Sequence, residues 1–177
     1  MAVEKVIESE IVNVVDVIGD VVDMIRTEYD EDSGEKPYYL HGHPLEIVNI
    51  LKERTESGTA LKYQKYPLVV LLEDFEDDGP SGVFANRAKV DILFITNTSK
   101  DYKASDRYTH SFDAVLTPIY DLFIKHMLRK TGVHIDHRKL QGKVINHLFW
   151  GKNELGNTFD DYIDCKEIKG LDLKIYR

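Results

Sequence analysis

Acidic side chains follow an apolar segment at residues 67–72, and their type suits the binding of a divalent cation. They are Glu73, Asp74, Glu76, Asp77 and Asp78, and Lys89 and Asp91 open the next apolar segment. A magnesium-dependent nuclease uses carboxylates and a lysine at strand ends to hold its ion and to steady phosphate charge. The usual order of acid, spacer, acid, spacer and lysine is absent, and a solvated acidic loop explains the same residues. A metal-dependent nuclease or hydrolase using residues 73–78 and Asp91 is therefore kept as an alternative.

Two groups of histidines have the residue types of a metal site. His41 and His43 flank a glycine, and His134, Asp136 and His137 offer three ligands within four residues. Zinc sites need three or four protein ligands, and neither group has a matching partner elsewhere in the sequence. We interpret both groups as solvated histidines, and we predict neither a metal nor a cofactor.

The sequence contains no recognisable nucleophile motif. It has no Gly-x-Ser-x-Gly elbow and no phosphate-binding glycine loop. Cys165 is the only cysteine, so no internal disulfide can form, and no histidine stands beside it in sequence. We expect an inert, partly buried thiol in a strand, and we predict no catalytic residue.

Aromatic side chains could stack on nucleic-acid bases, but the charge of the chain argues against that use. The candidates are Trp150 and the tyrosines at positions 38, 39, 63 and 66. The formal net charge is −8, and residues 1–36 with eleven acids and three bases already carry all of it. Tight binding to nucleic acid requires Lys and Arg that displace counterions, and the sequence has no basic run. We therefore expect these aromatic residues to pack in the core or in an interface.

The first 28 residues have the pattern of an amphipathic helix. Apolar residues recur at three- and four-residue spacing from Val3 to Ile25, and Asp16, Asp20 and Asp23 fall on the opposite side. These acids exclude a signal peptide or a membrane span here, so we expect a protein kept in the cytosol or in a particle assembled there. This helical arm could pack on its own sheet or on another subunit, and we expect it to serve assembly more than folding.

The remaining residues predict an α+β body at 37–177, joined to the arm by an acidic linker at 29–36, all within a single domain of residues 1–177. A helix is expected to start near His43 and Pro44 and to end near residues 57–58. Residues 67–72 and 90–95 are apolar on both alternating faces, which predicts central strands. The acidic stretch 73–89 between them is expected to be a long loop. Further strands are expected at residues 144–150 and 162–176.

A long central helix is predicted after residue 104. Ser105 or Asp106 can cap its start, and Pro118 lies inside it and lacks a backbone donor. We therefore expect a kink or a break at Thr117. Its apolar stripe consists of Tyr108, Phe112, Val115, Leu116, Ile119, Phe123 and Met127. The predicted fold class is α+β, with a small mixed or antiparallel sheet flanked by a long N-terminal helix and a long central helix.

Several short motifs, taken together, are similar to a known group of proteins. They are Tyr39-Leu40-His41-Gly42-His43, Lys65-Tyr66-Pro67-Leu68-Val69-Val70-Leu71, Asp106-Arg107-Tyr108, Ser111-Phe112, Leu116-Thr117-Pro118-Ile119-Tyr120, Phe149-Trp150-Gly151 and Asp161-Tyr162-Ile163-Asp164. The chain resembles the neck, head-to-tail connector and tail-completion proteins of tailed bacteriophages over residues 38–176.

The resemblance implies a structural virion protein that forms a ring between the portal and the tail. Its expected partners are further copies of itself, other neck, portal or tail proteins, and genomic DNA that passes without tight binding. No membrane, small-molecule substrate or catalytic residue is implied. A metal-dependent hydrolase is the second hypothesis, and an assembly chaperone that leaves before the particle matures is the third.

Overall fold

The structure is a computed structural model that describes residues 13–29, 36–56, 65–77, 84–135, 144–150 and 161–176. In chain order its elements are α1 (Val14–Glu28), β1 (Tyr38–Gly42), α2 (Pro44–Glu56), β2 (Leu68–Asp77), β3 (Phe84–Asn97), α3 (Ala104–Arg107), a π-helix (Tyr108–Leu116), α4 (Thr117–Arg129), β4 (Val133–Ile135), β5 (Val144–His147) and β6 (Ile163–Tyr176). The predicted α+β class is confirmed.

The strands form one mixed six-stranded sheet. The order is β1-β2-β3-β6-β4, and β5 also pairs with β6. β1 runs parallel to β2, and every other pair is antiparallel. β6 holds the sheet together, because β3 pairs along its whole length while β5 and β4 pair with its two ends. The strand expected at residues 162–176 is thus confirmed, whereas the one expected at 144–150 ends at His147.

The long loop predicted at residues 73–89 is wrong for the part that the structure describes. β2 continues to Asp77 and β3 begins at Phe84, and Glu76 pairs with Lys89 after a register shift in β2. The acids of β2 concealed this extension in the sequence. The signal lay in β3, where buried Ala88 and Val90 alternate with polar residues, as in a strand covered on one face.

α1 begins at residue 14 because Asn13 caps it. Asn13 has extended dihedral angles, and its side-chain oxygen accepts a hydrogen bond from Val15 N at 3.0 Å. The helix predicted from Val3 onward therefore does not run unbroken through Asn13, and residues 1–12 lie outside the described range. Asp16, Asp20 and Asp23 face solvent as predicted. None of the described helices is both long and apolar enough to span a bilayer.

α1 packs on its own sheet, which decides between the two arrangements left open above. Its buried residues are Val14, Val17, Ile18, Val21, Val22 and Ile25, and they share one core cluster with β2, β3, β6, the π-helix and α4. Gly19 allows this close approach, since a Cβ there would lie 3.3 Å from the Tyr39 ring. Residues 14–28 are therefore part of the core, and we expect them to contribute to folding, while the role of the arm in assembly stays a prediction.

Polar contacts add to the packing of α1 against α4. Glu28 contacts Lys125 and His126, and Lys130 Nζ lies 2.9 Å from Asp20 Oδ2. The hydrogen bond from Lys125 lowers the pKa of the Glu28 carboxyl below its usual value, and the charge of Lys125 acts in the same direction. The carboxylates of Glu28 and Asp20 are exposed, so these pairs orient the two helices more than they stabilise them.

The central helix changes its hydrogen-bond pattern before Pro118. Tyr108–Leu116 is π-helical, and Thr117 N donates to Phe112 O, five residues back. Of the predicted kink or break at Thr117, the break is not found, because Thr117 keeps right-handed helical angles (φ −68°, ψ −46°) and α4 continues from it. The irregularity at this position is the change from π-helical to α-helical hydrogen bonding. In the wider π-helical turn each N–H donates to the carbonyl five residues back instead of four. With the acceptors shifted in this way, the helix continues past Pro118, which has no N–H to donate. At the helix start Asp106 accepts from Lys103 N at 3.2 Å, so it supports the first turn from within rather than capping it.

The π-helix also changes which side chains face the sheet. Tyr108, expected in the apolar stripe, is 44% exposed, whereas Arg107 is 1% exposed. Ser111, Phe112 and Leu116 are buried. Their spacing of four and five residues fits a turn wider than that of an α-helix.

The sheet has a core on each face. α1, the π-helix and α4 cover the larger one, which includes Val69, Ile92 and Phe94. α2 covers the smaller one, where Ile47 and Leu51 pack on strand residues of the opposite face. These strand residues are Leu68, Val70, Leu93, Ile95, Ile163 and Cys165. Alternation along β2 and β3 thus places apolar side chains on both faces, as the sequence predicted.

Replacing a core residue of α1 tests whether this helix belongs to the folding unit. Ile18 is fully buried, and we expect Ile18→Ala to lower the free energy of unfolding by about 2–5 kcal/mol because it leaves a cavity. Asp23→Ala on the exposed side of the same helix is the control and should change it by less than about 0.5 kcal/mol. Urea denaturation measures both, and equal small effects would show that α1 is dispensable for folding.

Candidate functional site

The acids proposed for a metal site contact other residues of the fold, as far as the structure describes their side chains. Glu73 contacts His41 across β1 and β2, and Asp91 Oδ1 accepts from Gly170 N at 2.5 Å. Lys89 is exposed and stands opposite Asp172 in the β3–β6 register. The side chains of residues 74–77 and all of Asp78 lie outside the described part. Among the described residues no three His, Cys, Asp or Glu side chains are grouped to hold a metal ion.

The histidines of the sequence motifs have separate roles. His43 Nδ1 accepts a hydrogen bond from Leu45 N at 3.2 Å and so supports the start of α2. His41 pairs with Glu73, which joins the edge strand β1 to β2. His134 is exposed on β4 opposite Lys174, and His137 lies outside the described range. The structure therefore does not bring the described histidines together.

The aromatic candidates pack within the fold. Tyr39 Oη donates to Val15 O at 3.0 Å, and Tyr66 Oη donates to Asp161 Oδ2 at 2.9 Å. Burial raises the pKa of both phenols above their ordinary value, and nearby carboxylates act in the same direction. Trp150 packs against the smaller core, and Arg26 lies over the Tyr38 ring at 5.5 Å. Tyr63 lies outside the described residues. The predicted packing role is confirmed for Tyr39, Tyr66 and Trp150.

The most unusual polar group of the described residues is an ion pair buried between the start of the π-helix and β6. Arg107 Nη2 lies 2.8 Å from Asp164 Oδ1, and the two side chains are 1% and 0% exposed. Arg107 Nε and Nη2 and Asp164 Oδ2 make no hydrogen bond to another described residue. Charge attraction rather than directed hydrogen bonding therefore holds this pair. In such surroundings a charge left without its partner is strongly unfavourable.

The pair holds the turn that follows β5. Phe149 has φ 53°, a left-handed conformation that costs a non-glycine residue on the order of 1–2 kcal/mol. Its ring lies against the guanidinium of Arg107, 3.2 Å from the ring centre to Cζ, and its N–H donates to Asp164 Oδ1 at 3.3 Å. Tyr162 packs edge-on against the same ring. The ion pair thus determines the backbone of the turn.

Further buried or partly buried polar side chains lie on the same, helical face of the sheet as the pair. Ser111 Oγ donates to Thr98 Oγ1 at 3.3 Å, and Lys166 Nζ donates to Thr117 Oγ1 at 3.0 Å beneath the Tyr120 ring. Burial lowers the pKa of the Lys166 ammonium. We call Arg107, Asp164, Ser111, Thr98 and Lys166 the polar cluster. Arg107 and Asp164 are closed off from solvent, so this centre orients elements of the fold rather than binding a substrate in the described conformation.

A second polar group lies on the opposite face of the sheet. Lys65, 6% exposed, contacts Asp161 and Thr55, and Tyr66 donates to the same carboxylate. It joins the end of α2 to the residues before β6. Both polar groups therefore link a helix to β6 or to the residues just before it.

An open cleft of about 560 Å³ lies beside the contact between α1 and the edge strand β1. It is lined by Val15, Asp16, Gly19, Asp20, Asp23, Tyr39, Leu40 and His41. Three carboxylates on one wall make it acidic, and α1 presents them to solvent. The sequence predicted which side of α1 is acidic, but not that β1 forms the second wall.

The polar cluster could not be located from the sequence. Nothing in the sequence marks Arg107 as buried, and in the structure it lies at the junction of α3 and the π-helix, where the helical pitch changes. Asp164 offered one signal, since it occupies an alternating strand position between the buried residues Ile163 and Cys165. A carboxylate buried in a central strand requires a cationic partner.

Removing one partner of the buried ion pair should destabilise the fold. We expect Asp164→Asn to lower the free energy of unfolding by about 3–5 kcal/mol, because Arg107 keeps a buried charge without its counterion. Asp172→Asn on the same strand, which weakens the pair with the exposed Arg87, is the control and should cost at most about 1 kcal/mol. Urea denaturation distinguishes the two. Arg107→Leu and Asp164→Leu made together should lower the free energy of unfolding by less than the sum of the two single changes. Additive losses would contradict the pairing.

The Cys165 thiol should be unreactive in the folded protein. It is fully buried, and burial raises the pKa of the thiol well above its ordinary value, so little thiolate forms near neutral pH. We expect a thiol reagent to react about a hundredfold more slowly in buffer than in denaturant. A Lys100→Cys variant supplies an exposed thiol as control. Equal reaction rates of the two thiols in the native protein would contradict this burial.

Comparisons with known proteins do not add a family to these observations. A scan against models of protein families finds no match to the chain, and a search among curated proteins finds none either. A function is therefore argued from the residues and their geometry.

Proposed function

We propose that this protein is a structural subunit of a tailed-phage virion, and that it forms a ring in the neck or at the head-to-tail junction. In this role it connects the portal to the tail and lines the conduit for DNA. The proposal begins from the resemblance of the sequence motifs to those of neck, connector and tail-completion proteins.

One observation carries the proposal: several of these motifs meet at one place in the fold. Arg107, Ser111, Phe149 and Asp164 come from four separate motifs and meet in or beside the polar cluster. Thr117, from a fifth motif, is bonded to Lys166 of the same cluster. Segments far apart in sequence thus share one packing role, which fits motifs that serve structure rather than catalysis.

The described surface also offers apolar side chains to neighbouring subunits. Leu45 is 65% exposed, and Ile145 and Leu148 are 40% and 41% exposed around the edge strand β5. Tyr102 and Tyr108 are partly exposed near the start of the central helix. Large apolar residues in the middle of an interface contribute most of its binding energy, whereas the charged rim contributes specificity.

The charge of the chain suits a DNA conduit. The excess of acids in residues 1–36 and the lack of a basic run throughout suit a wall that does not hold phosphate, so a genome can pass without being bound. A nuclease would instead need to draw phosphate toward its carboxylates with cations. The acidic character therefore supports the structural role over the hydrolase.

Purified particles of the phage or prophage that encodes this chain test the proposal. We expect mass spectrometry to find the protein in mature particles at a fixed ratio to the portal, and loss of its gene to leave heads and tails unjoined. A protein present in precursors and absent from mature particles would be an assembly chaperone.

Magnesium-dependent cleavage of DNA would support the hydrolase instead. Cleavage that Asp91→Asn abolishes and the surface control Asp101→Asn retains would contradict the structural role. We expect no cleavage of DNA by the wild-type protein or by either of these two variants.

A further inference from the structure

The strand β1 is paired with the sheet along one side only. Tyr38 N donates to Pro67 O at 2.9 Å, which sets the phase of the parallel pairing with β2. Alternate residues of a strand bond to the same neighbour, so Tyr38 and Leu40 direct their backbone groups toward β2. Tyr39 and His41 direct theirs away, and neither makes a backbone hydrogen bond to a residue that the structure describes. Their N–H and C=O groups are therefore available at the edge of the sheet.

The open cleft beside this edge has an acidic wall. Asp16, Asp20 and Asp23 of α1 line it, and β1 lines the other side. Asp16 and Asp23 are exposed and form no ion pair with another described residue. The Asp20 side chain is 63% exposed, although Lys130 contacts it. A segment lying along β1 would therefore have carboxylates beside it that are not neutralised.

The negative charge is greatest beside the middle of β1. Burial raises the pKa of the Tyr39 phenol above its ordinary value, and the charges of Glu73 and Asp16 raise it further. At the start of the strand Arg26 lies over the Tyr38 ring at 5.5 Å and supplies a positive charge. Cationic side chains of a partner are thus favoured next to Tyr39 and beyond it, rather than at the start of the strand.

We propose that β1 binds an extended segment of another protein as an additional strand of the sheet, and that this segment has Lys or Arg at alternate positions. The Tyr39 side chain packs toward α1, whereas Leu40 packs on the smaller core. An added strand follows the same alternation, so every second side chain would point toward the carboxylates of α1. The side chains between them would lie on the side of Leu40, where apolar residues suit the smaller core. The occupant is thus a segment in which cationic and apolar residues alternate.

A second copy of β1 is disfavoured as the occupant. Two copies paired through this edge would bring the acidic faces of two α1 helices together, and like charges repel each other. Charged side chains beside a short edge strand are a common protection against such self-pairing. The same carboxylates attract a cationic segment, so the edge is selective. This contact goes beyond the proposed ring, because it requires neither the ring nor the virion.

Peptide binding to the full chain tests the strand pairing. The probe is a synthetic, capped peptide of alternating Lys and Val, and calorimetry measures its affinity. One control peptide carries N-methyl groups on the Lys backbone nitrogens, and the other carries them on the Val nitrogens. Only one of these two sets can face β1, so we expect one methylated peptide to bind about tenfold or more weakly than the other, through lost hydrogen bonds. An equal effect of the two methylations would overturn the strand pairing.

A proline in β1 tests the same edge from the side of the protein. His41→Pro removes a backbone donor that faces away from β2, and proline is tolerated at such an edge position. His41→Ala removes the same side chain and keeps the donor. We expect His41→Pro to bind the Lys-Val peptide about tenfold more weakly than His41→Ala, with circular dichroism showing that both are folded. Equal affinities of two folded variants would contradict the assigned edge, and the methylated peptides decide the question if His41→Pro does not fold.

Charge variants test the acidic wall. Asp16→Asn with Asp23→Asn should weaken binding of the Lys-Val peptide about tenfold and reduce its dependence on salt. Glu53→Gln with Asp101→Asn makes the same change of net charge at exposed positions on other elements and should leave the affinity unchanged. Equal affinities of the two double variants would overturn the role of the α1 carboxylates.

Amide hydrogen exchange measured by NMR locates the bound peptide. The amides of Tyr39 and His41 should exchange at least severalfold more slowly with the peptide than without it, whereas Leu40, already bonded to β2, should change little. Protection of Tyr39 and His41 that rises with protein concentration in the absence of peptide would assign the edge to a second copy and overturn the cationic partner. Absence of peptide binding would overturn the contact, whereas the composition of purified particles decides the virion role separately.

Discussion

The buried attraction between Arg107 and Asp164 is the interaction on which the arrangement of this fold depends. It joins the first turn of the central helix to β6 and, through the Phe149 ring and N–H, orients the turn after β5. Neither charge could stay at this depth alone, so the helix and the strand must form together. The π-helix is part of the same solution, because it turns Arg107 inward while the following residues keep Phe112 and Leu116 in the core.

The two central strands could be predicted because their apolar runs are typical of buried strands. The start of α2 could be predicted because proline favours the first turn of a helix. The extension of β2 and β3 was missed, since the acids of β2 suggest a loop and residues 87–91 of β3 are apolar on one face only. Asn13 limits α1 through a side-chain cap that an apolar stripe does not reveal. The burial of Arg107 and the exposure of Tyr108 depend on a change of helical pitch, and a spacing of 3.6 residues assumes that pitch to be constant.

Described ionisable groups that suggested chemistry in the sequence mostly serve to connect elements. His41 and Glu73 join two strands, His43 supports the start of a helix, and Lys65 with Asp161 ties α2 to the approach of β6. The carboxylates of Asp16 and Asp23 differ, since they have no such described partner and face solvent on a helix whose other side is fully buried. The exposed carboxylates of α1 therefore suit contact with a partner, whereas the paired groups elsewhere do not form a reactive pocket.

The length of β6 has a consequence for how the molecule opens. A strand of 14 residues crosses from the polar cluster at one end to the β4 pairing at the other, and β3 is bonded to it throughout. Backbone amides in the middle of this ladder are released only when both ends separate, so their exchange with solvent deuterium follows complete unfolding. Amides of β1 and β5, each held from one side, exchange through local fraying. Amide exchange is therefore slow in the middle of the sheet and faster in its edge strands. A neighbouring chain can pair with these edge strands while the rest of the fold stays intact.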